Sequence, residues 1–282
     1  MELRTKGLVI RNHNLGEADR IIRILSPTEG VISAVARGAR KATSPFSAKT
    51  QPLTEADFLL VQRKSLALIK EVVVVNHYVG SFKSLLSMTL SYYMLEVCEY
   101  LAADLTGIND LYLICNNFLQ RLKLLESYPE DESYTLELIL GLETLWLIIS
   151  ELGYKPELDR CSLTKQERKL NQIAEYFDLN NGSICSRQAY FNSKDVNLNQ
   201  DANIIPLDKL CFKLLKILDM NIPSFENKTL NDYLLETNFY SLIAEDDQLE
   251  QPFRQAFKLL AKHLEMQTHK VPKSFKALEE FL

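Results

Sequence analysis

Histidine is scarce in this chain of 282 residues, and the four present, His13, His77, His263 and His269, have no local partner spacing. His263 and His269 stand six apart and would face different sides of a helix, so neither a paired-imidazole metal site nor a local acid–base couple is indicated. No Gly-rich loop runs into a Lys-Ser/Thr helix start, and neither G-x-S-x-G nor H-E-x-x-H occurs. The carboxylates are scattered, and Glu245-Asp246-Asp247 reads as a solvated loop. Together these absences argue against an enzyme and against a cofactor.

Cysteine is also sparse. Cys98, Cys115, Cys161, Cys185 and Cys211 are odd in number and lie among apolar neighbours, which suits reduced thiols better than a disulfide framework. No run of about 18 consecutive apolar residues is present, so a bilayer span and a membrane partner are not expected. The first twelve residues carry Glu2, Arg4 and Lys6 and no apolar core of a secretory signal, so a cytoplasmic location is the expectation. With 46% hydrophobic and 24% charged residues, the chain has the composition of an ordinary globular protein with a sizeable core.

Charge is present but unevenly placed. Residues 1–70 hold 12 Lys+Arg against 6 Asp+Glu, a balance of +6, whereas residues 71–282 hold 20 against 31, a balance of −11. That asymmetry suggests a basic binding module joined to an acidic body.

The basic part reads as strands. TKGLVIRNH, ADRIIRILSP, VISAVARG, EADFLLVQ and LALIKEVVVV are five Val/Ile/Leu-rich runs, mostly bounded by turn formers. Five antiparallel strands with one long connection after the third fit an OB-type barrel better than a sandwich, with an SH3-like barrel as the structural runner-up. After Tyr78 the apolar period lengthens to about 3.6. Helices are predicted from about Phe82 to Leu101, Asn109 to Ser127 and Tyr134 to Leu152, then again from Pro206, over Leu230 to Leu242, over Gln251 to Met266, and at the end of the chain. Residues 153–205 read as a weakly structured insert with a short helix over Lys165–Phe177 and a turn at Asn180-Asn181-Gly182. The expected class is therefore α+β: a five-stranded OB-fold barrel over 1–79, followed by a mainly α-helical domain over 80–282.

The connection VARGARKATSPFSAKTQPL, from Val35 to Leu53, brings Arg37, Arg40, Lys41 and Lys49 together without an acidic residue. Gly38, Ser44 and Pro45 break any helix there, so the cations should project from a surface loop. Arg20 and Arg23 on the second strand, and Arg63 and Lys64 at the last hairpin, extend the set. Small barrels bind nucleic acid by tracking phosphates with cations and stacking bases on aromatic faces. Two other readings stay open at this point: Arg20 and Arg23 could pair with Glu17 or Asp19, and Phe46 could plug the core rather than stack on a base.

A zinc site is not expected. Cys161 and Cys185 flank the insert, but the residues three beyond them are Thr164 and Gln188, neither a usual zinc ligand, and structural zinc needs four converging ligands.

A succession of motifs narrows the reading. Gly16-Glu17-Ala18-Asp19, Thr28-Glu29-Gly30, Val35 to Arg40 and Gln51-Pro52 follow one another in the order found in the N-terminal OB domain of the RecO family. Leu152-Gly153-Tyr154-Lys155-Pro156-Glu157-Leu158 with Cys161 resembles that family's L-G-Y-x-P-x-L-x-x-C signature, and Lys273-Ser274 its C-terminal Lys-Ser. The departures are Thr164 and Gln188 where some relatives keep zinc-binding cysteines, and Glu143 and Leu145 where relatives often show Arg and Phe-Glu character. The resemblance implies a non-enzymatic mediator of DNA repair and recombination, nucleoid-associated in the cytoplasm. Such a mediator binds single- and double-stranded DNA, anneals complementary strands, pairs with RecR, engages the C-terminal tail of single-strand-binding protein and assists RecA indirectly. From the residues alone, an OB module for RNA such as tRNA, or a helical adaptor whose barrel docks protein, are the alternatives.

Overall fold

The computed structural model describes residues 1–82, 84–102, 110–125, 127, 130–167, 175–194, 203–220 and 250–282. They form two compact units, Met1–Leu140 with Pro272–Phe281, and Gly141–Val271 with Leu282.

The first unit begins with the expected strands, β1 (Glu2–Leu15), β2 (Asp19–Ser26), β3 (Gly30–Ala36), β4 (Thr54–Val61) and β5 (Ala67–His77). They close into a barrel in the order β1-β2-β3-β5-β4. The long β1 makes closure possible, pairing with β4 through Glu2 to Val9 and with β2 through Leu8 to Leu15. The pattern departs from all-antiparallel pairing at one seam: β3 and β5 run parallel, with Ala34 opposite Ala67 and Val35 opposite Leu68. Inward positions follow the two-residue period of a strand, as with Ile22 and Ile24 on β2, Ala34 and Ala36 on β3, and Ala56, Phe58 and Leu60 on β4. Packing is close enough that a Cβ on Gly7 would lie 2.3 Å from Ile24 Cγ2.

Helices α1 (Leu85–Ala102) and α2 (Asp110–Leu125) complete this unit with the first part of α3 (Glu130–Glu151). Ser84 caps α1, its Oγ accepting from the N–H groups of Leu86 at 3.0 Å and Ser87 at 3.3 Å. The Lys-Ser motif acts as a clasp: Ser274 donates through N at 2.8 Å and Oγ at 2.6 Å to Glu96 on α1. Burial pushes the Glu96 carboxyl up, but the bonds from Ser274, the Tyr100 hydroxyl and the Lys273 N–H together outweigh it, and the net shift is downward.

In the second unit, α3 ends where the L-G-Y signature requires it. Gly153 takes φ +79°, its N–H reaches Ser150 O at 3.0 Å, and Tyr154 N reaches Ile149 O at 2.9 Å, a Schellman cap. The stretch Ser133–Glu151 is long and apolar enough to cross a membrane by length and composition, yet 83% of its 18-residue window is buried inside the molecule.

The segment read as weakly structured carries a four-stranded sheet, β6 (Glu157–Cys161), β7 (Tyr176–Asp178), β8 (Ser183–Cys185) and β9 (Ile204–Pro206), in the order β6-β8-β7-β9. This corrects the helix predicted over Lys165–Phe177: Glu167 forms a bridge with Arg160, residues 168–174 lie outside the described set, and Tyr176 to Asp178 are strand. The polar run after Lys165 has helical composition, but Phe177, with no exposed surface, packs into the core from an extended backbone. Among the described residues this unit also holds α4 (Arg187–Lys194), between β8 and β9, α5 (Lys209–Met220) and α6 (Glu250–Thr268), and the short α7 (Phe275–Leu278) belongs to the first unit. The helix predicted over Leu230 to Leu242 lies outside the described residues.

His263 on α6 is 2% exposed, with Nε2 2.9 Å from Tyr154 O and Nδ1 3.4 Å from Leu179 O. Gly182 faces this ring, since a Cβ there would sit 2.5 Å from His263 Cε1. Burial lowers the His263 pKa from its ordinary value of 6.5, and the two carbonyls only partly oppose that. The unfolded chain therefore takes up this proton before the folded chain does, and stability falls as pH drops below about 6.5. Urea unfolding at pH 7.5 and 5.5 should show the loss, and His263→Gln should reduce it. A difference that His263→Gln leaves unchanged would assign the effect to other groups.

Candidate nucleic-acid interface

β3 stops at Ala36 because Gly38 turns the chain with φ +67°. Its N–H donates to Asp19 Oδ1 at 2.8 Å, Arg40 N donates to Ala18 O at 2.9 Å, and the Arg40 guanidinium donates to Gly16 O. The start of the loop is thus laced to the β1–β2 turn at one end of the barrel. Further along, Phe46 O accepts from Thr50 N at 3.1 Å and Thr50 Oγ1 at 2.8 Å. Asn12 Nδ2 reaches Thr50 O at 3.2 Å, and Lys49 Nζ reaches Val72 O on β5 at 3.1 Å. The loop rejoins the sheet through Leu53, whose N–H bonds Val9 O at 2.9 Å from a left-handed φ of 64°.

On this pinned loop Arg37, Arg40 and Lys41 are exposed. They form a group of cations held by backbone rather than by carboxylates. Phe46 is half-buried and packs against the barrel core. Lys49 is exposed, and its ammonium donates one bond to the Val72 carbonyl on β5. Arg23 points outward from β2, where Nη1 donates to Ser33 Oγ at 2.7 Å and Nε lies 3.9 Å from Glu99 on α1. Arg20, one residue from Asp19, has no ion pair among the described residues; Asp19 Oδ1 accepts from the Gly38 N–H. Arg63 and Lys64 are exposed in the β4–β5 hairpin, beside the start of β1, where Gln62 N donates to Met1 O at 3.0 Å. They sit at the opposite end of β1 from the turn that Arg40 ties.

Two carboxylates that sequence reasoning passed over organise the barrel's surroundings. Glu99 holds Arg11 at 2.8 Å and Arg23 at 3.9 Å, with His13 at 4.0 Å. Glu55 is 3% exposed and accepts from Asn76 Nδ2 at 2.6 Å, Tyr112 OH at 2.8 Å, Asn116 Nδ2 at 3.4 Å and Tyr78 OH at 3.5 Å. Burial, reinforced by the Glu55 charge, pushes both phenols up and keeps them protonated donors. A sequence signal for either contact is lacking, since Glu99 lies 88 residues from Arg11 and Tyr112 lies 57 from Glu55.

In the second unit, a groove of about 680 Å³ runs between the β9–α5 junction and α6. Leu210, Pro252 and Leu259 give it apolar walls, and Arg254, Lys258 and Lys262 line it at four-residue steps along one face of α6. Arg254 is paired with Glu250 at 3.1 Å, whereas Lys258 and Lys262 are exposed. The thiols at the edge of the small sheet are unlike one another. Burial pushes Cys185 up to about 12, whereas at Cys161 the Thr164 hydroxyl and the N–H groups of Thr164, Leu163 and Ser186 overcome burial and lower the pKa.

A closed five-stranded barrel, with one seam parallel and a cationic loop laced to its first turn, defines an OB-fold protein with a helical extension. Residues 1–78 match the family model described as Recombination protein O N terminal. The chain is 32% identical to a DNA repair protein RecO of Heliobacterium modesticaldum over 158 residues, 56% of this chain and 54% of that protein. It is 30% identical to the RecO of Synechocystis over 57% of this chain and 58% of the relative, and 25% identical to that of a Thermoanaerobacter species over 76% and 78%. In the first two alignments the chain spans little more than half the relative's length. The resemblance to the RecO family read from the motifs is borne out.

Proposed function

We propose that this chain is a non-catalytic mediator of DNA repair and recombination in the cytoplasm, which binds single- and double-stranded DNA at the barrel end and brings complementary strands together. The observation that carries the reading is the exposed Arg37, Arg40 and Lys41 group on a loop held rigid by backbone bonds. Cations on a pinned backbone cost no loop ordering on meeting phosphates, and phosphate contacts carry no base preference. The relatives' name, DNA repair protein RecO, supports the same role. Arg63 and Lys64, exposed at the opposite end of β1, offer a second, separate contact. Arg23, Lys49 and Phe46 support the loop and the β2–β3 face, given the bonds and packing that each makes.

In this reading the groove along α6 receives the acidic, apolar tail of single-strand-binding protein, because its walls are apolar and its rim is cationic. RecR is a partner and RecA loading the downstream event. The test is annealing of complementary oligonucleotides, bare or coated with single-strand-binding protein. The chain should accelerate both, and removal of the coating protein's tail, or Lys258→Glu with Lys262→Glu, should abolish only the second. No acceleration of bare strands would overturn the reading.

A further inference from the structure

In the second unit α4 follows β8 directly and carries Phe191, a large apolar side chain that is 47% exposed. The ring is held from behind. Tyr190 meets it edge-on with centroids 5.5 Å apart, and Tyr190 in turn stacks on Tyr176 of β7 at 4.4 Å. Both tyrosines belong to the apolar cluster of the small sheet, with Cys185 and Ile204. Arg187 stands four residues before Phe191 on the same helix face, its guanidinium carbon 5.7 Å from the ring centroid, and is exposed. The loop after β6 joins the start of this helix, because the Ser186 N–H bonds the Cys161 thiol. That loop presents Lys165, also exposed, whose N–H returns to Cys161 O at 2.9 Å. Of the neighbouring carboxylates, Glu175 accepts from the Arg187 backbone N–H at 3.0 Å and Glu167 pairs with Arg160 at 3.5 Å. From Gly153 to the end of α4 the chain holds 7 Lys+Arg against 5 Asp+Glu, a balance of +2 inside residues 71–282, which carry −11.

We propose that the small sheet and α4 form a single-strand site of their own, outside the barrel, where one base stacks against Phe191 while Arg187 and Lys165 meet neighbouring phosphates. A braced, exposed ring flanked by cations is the arrangement by which proteins hold single strands without reading their sequence. A duplex does not use such a ring, because its bases are already stacked on one another. The inference rests on the reading of the chain as a strand annealer and adds where a second strand is held, since annealing needs two strands on one protein.

The experiment irradiates the full chain on oligothymidine carrying 5-iodouracil, identifies the cross-linked peptides by mass spectrometry, and measures annealing and binding of variants. A cross-link on the α4 peptide is expected. Phe191→Leu keeps apolar packing on Tyr190 but removes the aromatic face. In a full chain already carrying Arg37→Ala/Lys41→Ala, it should weaken the remaining binding of oligothymidine about tenfold and leave the salt slope unchanged, since stacking releases no counterions. Arg187→Ala/Lys165→Ala should instead flatten that slope by about 1.4. On the parental background each change should slow annealing of bare strands. Parental binding and annealing in Phe191→Leu, with no label on α4 and with Arg37→Ala/Lys41→Ala weakened, overturns this inference alone. A label on α4 with no weakening by Arg37→Ala/Lys41→Ala overturns the loop reading alone, and a parent chain that binds no DNA overturns both. Should Phe191→Leu fail to fold, the cross-link on the parent chain decides: its presence on α4 supports the site, and its absence overturns it.

Discussion

The full chain carrying Arg37→Ala, Arg40→Ala and Lys41→Ala together is expected to bind single-stranded DNA about 100-fold more weakly than the parent, taking about 1 kcal/mol for each exposed phosphate contact. The three side chains are exposed, and none of them has a carboxylate partner among the described residues. Arg40 does double duty, because its guanidinium also ties the loop to Gly16 O. Its loss relaxes the loop as well as removing a charge. The pair Arg37→Ala/Lys41→Ala separates the effects: it leaves the Arg40 ties intact and should account for most of the loss in affinity. Filter binding or fluorescence anisotropy at fixed moderate salt reads the difference. An affinity within threefold of the parent would show that the loop is a solvated edge.

Glu55→Leu is expected to destabilise the first unit by about 1–3 kcal/mol, the range for leaving a buried hydrogen-bond donor unsatisfied. Glu55 is 3% exposed, and its two oxygens together gather donors from Asn76, Tyr78, Tyr112 and Asn116, with Lys6 Nζ at 4.0 Å. Leucine has similar volume but leaves the buried Tyr112 hydroxyl without its acceptor, whereas Tyr78 OH keeps Asn116 Oδ1 at 3.0 Å. Glu55→Gln keeps one acceptor oxygen and should cost less, which separates lost hydrogen bonding from lost packing. Urea unfolding followed by tyrosine fluorescence would show it. A loss under 1 kcal/mol for the leucine variant would mean that the donors find water.

Much of the barrel is legible because its strands bury alternate residues. Ile22 and Ile24, or Ala56, Phe58 and Leu60, carry their facing in their spacing. The left-handed glycines at 38 and 153 are also legible, since each ends an apolar run where only a turn fits. The insert is not, because its strands are three to five residues long and too short to establish a period.

The cationic loop stands out in the sequence as a cluster of charge, but which of its charges are free depends on partners far away in the chain. Asp19 looks like an ion-pair partner for Arg20 and instead caps the Gly38 amide. Arg23 looks available until α1 brings Glu99 to it. Phe46 looks equally suited to a base or to the core, and the structure packs it against the core. Sequence spacing reports local neighbours, and the state of each cation is set by residues tens of positions distant.

The central claim is that the barrel end meets nucleic acid through phosphates. Its most direct test is the affinity of the parent chain for labelled single-stranded DNA across a series of salt concentrations. With four to six phosphates met, log K should fall linearly with log salt with a slope of about −3 to −4, and the slope of the Arg37/Arg40/Lys41 alanine variant should be shallower by about 2. Binding that does not respond to salt, or no binding at low salt, would contradict the account.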